Sequence, residues 1–176
     1  AKGKPIVYYM HNDYRINDKP VYDGISEKSI ALLLLNANWV KERLRWDGET
    51  FVIHPPIERE KYQITPGEHI TLINLTAKKG VSTFKAIAEC MPDKKFLGVT
   101  GGWGKQVPPY LSNVTIIPKT ANITGDVYAK TRILLMPSQY IGPTKEWNWT
   151  ESWGMVGVEA MCSGIRVIAH PAPGLK

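Results

Sequence analysis

Short apolar runs bounded by turn residues alternate along the chain with stretches whose apolar positions recur at helical spacing. That alternation predicts parallel α/β units. PIVYYMH (5–11), ALLLL (31–35) and TFVIH (50–54) read as strands, with ANWVKERLRW (37–46) as the helix after the second. PPIEREKYQITPGEH, with three prolines and a glycine among polar residues, reads as a linker. The pattern then restarts: ITLINL (70–75) as a strand, GVSTFKAIAECM (80–91) as a helix, and KKFLGVTGG (94–102) as a strand running into a glycine turn. NVTIIP (113–118) and RILLMPS (132–138) are strands around a short helix, GDVYAKT (125–131), and RVIAH (166–170) is the last strand, after a helix over 154–163. The expected fold is α/β, with a Rossmann-like parallel sheet over 70–176, a linker at 56–69 and part of another unit at 1–55. Such sheets usually continue beyond this many units, so the chain reads as incomplete, a fragment or a reduced version of something longer.

Composition changes this picture little, because 43% hydrophobic and 22% charged residues describe an ordinary folded core. No apolar run approaches the roughly 20 residues that span a bilayer, and AKGKPIVYYMH lacks the features of a signal peptide. The expected compartment is therefore the cytoplasm. Cys90 and Cys162 sit in helical patterns without metal-ligand spacing, which predicts buried free thiols rather than a zinc site or disulfide. Four Asn-x-Thr sequons, at Asn74, Asn113, Asn122 and Asn148, are read as chance. Charge is more informative. A formal net charge of +6 favours anionic partners, and the scattered placement of the basic residues argues for a local phosphate site over a nucleic-acid surface.

The most informative chemistry lies in TESWGMVGVEAMCSGIRVIAHPAPG (150–174). Gly164 is expected at the C′ position of the final helix, and Glu151 just ahead of its first turn, where unpaired N–H groups and the helix dipole can hold phosphate. Gly154 and Gly157 each cost roughly 1 kcal/mol of helix propensity, which points to something approaching the backbone closely. Glu159 lies about one and a half turns further into the helix, which sets the two carboxylates several ångströms apart and unsuited to share a proton or a metal. Two hydroxyl-bearing ends joined by phosphate, the layout of a nucleotide sugar, suit such a pair. A plainer reading makes Glu151 a dipole-compensating acid and Glu159 part of a solvated face.

ESWGMVGVEAMCSGIRVIA resembles the signature of the retaining GT-B glycosyltransferases of the glycosyl transferase group 1 family: Glu, seven residues, Glu, then Ala-Met-x-Ser-Gly. FVIHPPIEREKY is similar to the interdomain segment of that family, ITLINLTAKKGVSTFKAIAECMPDKKFLGVTGG to its first donor-domain units, and NVTIIPKTANITGDVYAKTRILLMPS to the segment that packs on the base. The resemblance implies that 1–55 is the C-terminal part of the acceptor-side domain and 70–176 the nucleotide-sugar-binding domain. It implies Glu151 near the transferred sugar, Glu159 on the ribose hydroxyls, and the turn Ser152, Trp153, Gly154, Met155 and Val156 on the diphosphate. Lys79 matches the lysine that neutralises the diphosphate, whereas the arginine expected five residues earlier is Asn74 here, so the clamp loses one guanidinium. KPIVYYMHND matches a strand whose following histidine, here His11, lies in the catalytic cleft; a surface histidine after a strand fits the same residues.

LGVTGGWGKQ tempts toward a phosphate loop, but Val99 and Gln106 break the spacing and Pro108 and Pro109 oppose a following helix. Gly101 and Gly102 are instead expected to turn the backbone beside the donor. QYIGPTKEWNWT (139–150) brings Trp147 and Trp149 ahead of Trp153, for stacking on a sugar or for anchoring the loop. The expected activity is metal-independent transfer of a sugar from a nucleotide-diphosphate donor (UDP, GDP or ADP sugar) to an unidentified acceptor with retention, without a cofactor or nucleic-acid partner. A non-catalytic nucleotide-sugar-binding module and a sugar-nucleotide epimerase remain the alternatives.

Overall fold

The computed structural model describes residues 4–11, 15–16, 19–20, 25–44, 46–138 and 151–175. Strands β1 (Ile6–Met10), β4 (Ile30–Leu35) and β5 (Thr50–Val52) form a parallel sheet in the order β1-β4-β5, with Tyr9, Leu34 and Phe51 in register across it. Between β1 and β4, β2 (Arg15–Ile16) and β3 (Lys19–Pro20) make a small antiparallel ribbon that no apolar pattern announces. Helix α1 (Asn38–Arg43) returns the chain from β4 to β5. It ends three residues earlier than its apolar spacing predicts, because Leu44 turns extended and is buried beside Met10, Leu33, Leu35 and Val40.

A second parallel sheet holds β6 (His69–Ile73), β7 (Phe96–Val99), β8 (Val114–Ile117), β9 (Thr131–Met136) and β10 (Arg166–Ala169) in the order β10-β9-β6-β7-β8. The chain therefore builds outward from β6 to β8 and then crosses back to the other side of β6. Helix α2 (Val81–Cys90) covers one face, its Phe84 ring meeting Phe96 edge-on at 5.6 Å. The other face carries α3 (Ile123–Asp126) and α4 (Met155–Cys162), with Leu97, Leu134, Met136 and Ala160 between. Helices on both faces of a reversing parallel sheet make a Rossmann-like α/β fold, as the alternation predicts.

Three local expectations are corrected. The short helix starts at Ile123 rather than 125, since the Asn122 side chain accepts from Gly125 N–H at 3.1 Å, and Tyr128–Lys130 continues as a 3-10 turn. Cys90 is exposed and Cys162 half-buried, because the buried stripe of α2 runs through Val81, Phe84 and Ala88 and that of α4 through Gly157 and Ala160. Gly157 answers to packing against protein: a Cβ there would stand 2.8 Å from Met136 Sδ, so the glycine lets α4 lie close on β9. Gly164, by contrast, takes its expected place. It has φ +72°, its N–H donates to Met161 C=O, and Ile165 N–H reaches back to Ala160 C=O, closing α4 with a Schellman motif.

No helix among the described residues is long and apolar enough to cross a membrane.

Candidate functional site

The reversal of strand order between β6 and β9 opens a crevice at the carboxyl ends of the second sheet, the position where such sheets hold ligands. A cavity of about 290 Å³ lies there, walled by Ile73, Asn74, Gly101, Gly102, Lys119 and Val156 among others. Beside it a second cavity of about 230 Å³ is lined by His11 and Asn36 from the first unit and by Glu151, Ser152, Gly154 and Met155 ahead of and within α4. Lys79, Met136 and Val156 border both. The structure thus brings His11, Lys79, Glu151 and the start of α4 to one place.

Local geometry puts Lys79 there. The 3-10 turn Ala77–Lys79 ends in Gly80 at φ +81°, and a Cβ on Gly80 would meet Pro137 C=O at 2.6 Å. Lys79 Nζ donates to Glu151 Oε2 at 2.6 Å, with only 17% and 13% of the two side chains exposed. Removing either partner from a pair so poorly hydrated leaves a charge without its counterion.

Gly154, at φ +75°, is the N-cap of α4 and has no side chain to cap it. Its carbonyl accepts from Gly157 and Val158 N–H, while the amides of Met155 and Val156 open the helix without intrahelical acceptors. A Cβ on Gly154 would collide with Leu175 Cδ2, and one on Gly174 with the Glu151 carbonyl, so protein packing also requires these glycines. The close approach expected at Gly154 is made by the 173–175 turn.

Ser152 and Trp153 face the first unit. Trp39 Nε1 donates to Ser152 C=O at 2.8 Å, Asn36 Nδ2 to Ser152 Oγ at 3.3 Å, and the Trp153 ring stacks on His54 at 4.1 Å. Trp153 is therefore an anchor between the units as well as a cavity wall. Trp147, Trp149 and the sequon at Asn148 lie outside the described residues.

Asn74 is the one non-glycine residue at positive φ (+69°) among the described residues, a conformation asparagine tolerates. Its Oδ1 accepts from Gln106 Nε2 at 2.8 Å, and Gln106 Oε1 accepts from Gly101 N–H at 2.9 Å. Where the resemblance leads one to expect a guanidinium, an amide fastens the glycine turn of 101–106 to the end of β6. The Asn113 amide likewise donates to Ala88 and Met91 carbonyls, so the sequons at 74, 113 and 122 all have side chains used internally.

Glu159 borders neither cavity. One turn beyond Val156 on α4, its Oε2 accepts from the Tyr128 hydroxyl at 2.7 Å. Burial, and then the hydrogen bond to Glu159, hold that hydroxyl far above the ordinary tyrosine range. Burial first and the Glu159 charge second also raise Tyr62. His11 is exposed, its ring tilted against Tyr9 at 4.3 Å, and its carbonyl accepts from Asn36 Nδ2 at 2.5 Å.

Sequence reasoning missed Lys119, whose Nζ lies 3.0 Å from where a Gly102 Cβ would be, and it missed the linking role of Gln106. A lysine just past an apolar strand was the available signal for the first; the second depends on a fold-back that spacing does not show. Among the described residues no group of three His, Cys, Asp or Glu side chains is placed to hold a metal ion.

A scan of family models finds no match to this chain, and a search of curated proteins finds none either.

Proposed function

We propose that the chain binds a nucleotide-diphosphate sugar in this crevice and belongs to a retaining glycosyltransferase, with the second sheet as the donor-binding unit. The observation that carries the reading is convergence: Lys79, Glu151 and the open amides of α4 meet at the strand-order reversal, and His11 faces them from the other unit. The apolar cavity beneath Gly101 and Gly102 accepts the base. Diphosphate lies between the Lys79 ammonium and the amides of Met155 and Val156, which favour negative charge by position and dipole. As the bond from sugar to phosphate breaks, charge grows on the departing phosphate oxygen, and these donors stabilise it without reorganising. Diphosphate competes with Glu151 for Lys79, and the released carboxylate is free to accept from the sugar hydroxyls. His11 donates to the sugar or the acceptor from the opposite wall.

The Asn74–Gln106–Gly101 network favours a second reading, a module that holds the nucleotide sugar without transferring it, because it leaves the diphosphate one cation short.

Calorimetric titration with UDP, GDP and ADP sugars tests binding, and assay of nucleoside diphosphate release with and without a panel of acceptors tests transfer. One nucleotide sugar is expected to bind, and Lys79→Met to weaken it by about 10- to 100-fold, the worth of a charged hydrogen bond. Release that depends on acceptor separates the transferase from the module. If no nucleotide sugar binds, both readings fail.

A further inference from the structure

Helix α2 and the segment 107–111 enclose a cleft of about 430 Å³ that shares no lining residue with either cavity of the crevice. One wall is a face of α2, where Ser82, Lys85 and Glu89 follow one another at i, i+3 and i+7. The other wall carries Pro108, Pro109 and Tyr110. Tyr110 is 87% exposed, more than any other large hydrophobic side chain among the described residues. The backbone on either side of it is held: Val107 N–H donates to Leu75 C=O at 2.7 Å, Leu111 N–H donates to Pro109 C=O at 3.0 Å, and each proline ring locks its own φ. The charges of the α2 wall cancel, since Lys85 Nζ stands 3.6 Å from Glu89 Oε1.

We propose that this cleft binds a neutral hexopyranose unit of a glycan, stacked on the Tyr110 ring and hydrogen-bonded to Ser82, Lys85 and Glu89. A pyranose carries C–H groups on its faces and hydroxyls around its rim, so it needs a flat apolar surface beside a wall of donors and acceptors. Tyr110 supplies the surface. The hydroxyl of Ser82, the ammonium of Lys85 and the carboxylate of Glu89 supply the wall, and together they present hydrogen bonds without net charge. An anion finds no uncompensated cation there, and a wholly apolar ligand would strip water from three polar groups without replacing it. An aromatic ring on an anchored, proline-fixed segment loses little freedom on binding. The volume stands at the small end of the range for ligand pockets, which suits a short stretch of saccharide. The inference does not depend on the nucleotide-sugar reading, because it draws on no residue of the crevice.

The test titrates the full chain by calorimetry with the neutral trisaccharides maltotriose, cellotriose, mannotriose and chitotriose, and with trigalacturonate as a charged counterpart. The wild type is compared with Tyr110→Ala and Glu89→Gln, whose side chains are exposed, so both variants should melt with the wild type. At least one neutral trisaccharide should bind; Tyr110→Ala should weaken it about tenfold through loss of stacking, and Glu89→Gln about threefold through loss of a hydrogen bond. If no neutral trisaccharide binds the wild type, or if one binds Tyr110→Ala equally well, the cleft is not a saccharide site. Tighter binding of trigalacturonate than of every neutral sugar would make Lys85 the centre of an anion site and also overturn the proposal. None of these outcomes touches the proposed function, which the nucleotide-sugar titrations decide.

Discussion

The Tyr128 hydroxyl, fully buried in an apolar cluster, can ionise only by placing a negative charge there and beside the carboxylate to which it donates. In the unfolded chain it ionises near pH 10. Below that pH both states are protonated and the contribution of the buried hydroxyl is complete. Above it the unfolded chain loses a proton that the folded one keeps, so stability falls as pH rises until the folded value, which is raised, is reached. Tyr128→Phe should therefore flatten the decline of unfolding free energy above pH 10 by about 1.4 kcal/mol per pH unit, read from urea melts between pH 9 and about 11. Equal slopes in the two proteins would mean that Tyr128 ionises in the fold. At the same scale Asn74 shows why a residue type can mislead. Its left-handed backbone and its bond to Gln106 give it work in the turn, which the absence of a guanidinium from the sequence does not reveal.

Among the elements, two glycines at positive φ can be separated by what surrounds them. A Cβ on Gly80 would strike the Pro137 carbonyl at 2.6 Å, whereas on Gly164 its nearest neighbour would be Pro66 Cγ at 3.8 Å. Gly164→Ala should cost about 1 kcal/mol, the strain of a left-handed alanine. Gly80→Ala adds displacement of β9's exit and should cost about 3 kcal/mol. Urea denaturation measures both; equal losses would show that backbone strain alone decides. The Gly164 stop was legible because αL closure of a helix has a residue signature, and the strands were legible because parallel strands covered on both faces read as apolar runs. ITLINL and RILLMPS fall within a residue or two of β6 and β9. The start of α3 was not legible, since a four-residue helix is set by the Asn122 cap rather than by periodicity, and the β2–β3 ribbon has two residues per strand, too few for alternation. The cysteines were misplaced for a related reason: a helical pattern shows that a stripe exists, while its phase against the sheet depends on packing.

Across the whole molecule, the pieces of the candidate site come from the end of β1, the turn after β6 and the approach to α4, three stretches that the sequence singles out separately and the fold brings to one cavity. Lys119 escaped because its one local mark, a place just past an apolar strand, is weak, and Gln106 and Tyr128 because nothing local marks them; only the fold brings them to Gly102, Asn74 and Glu159. The same long-range logic governs how the sheets are joined. The turn at 151–154 belongs in sequence to α4, yet Trp153 packs into the cluster of Met10, Leu33, Leu35 and Val40 and stacks on His54, while the Ser152 carbonyl receives the Trp39 indole N–H. Trp153→Ala removes the ring but leaves Lys79, the α4 amides and the second core untouched. Truncating a large aromatic packed in a core costs about 3 kcal/mol at the lower end, suited to a ring that is half-buried. The loss should fall on one side: amide hydrogen exchange in β4 and α1 should quicken by about 100-fold, while β6 and β7 keep their protection, since each amide reports the opening of its own unit. Equal loss of protection in both sheets would mean that they open as one cooperative body, and that the tryptophan supports the second sheet as much as the first.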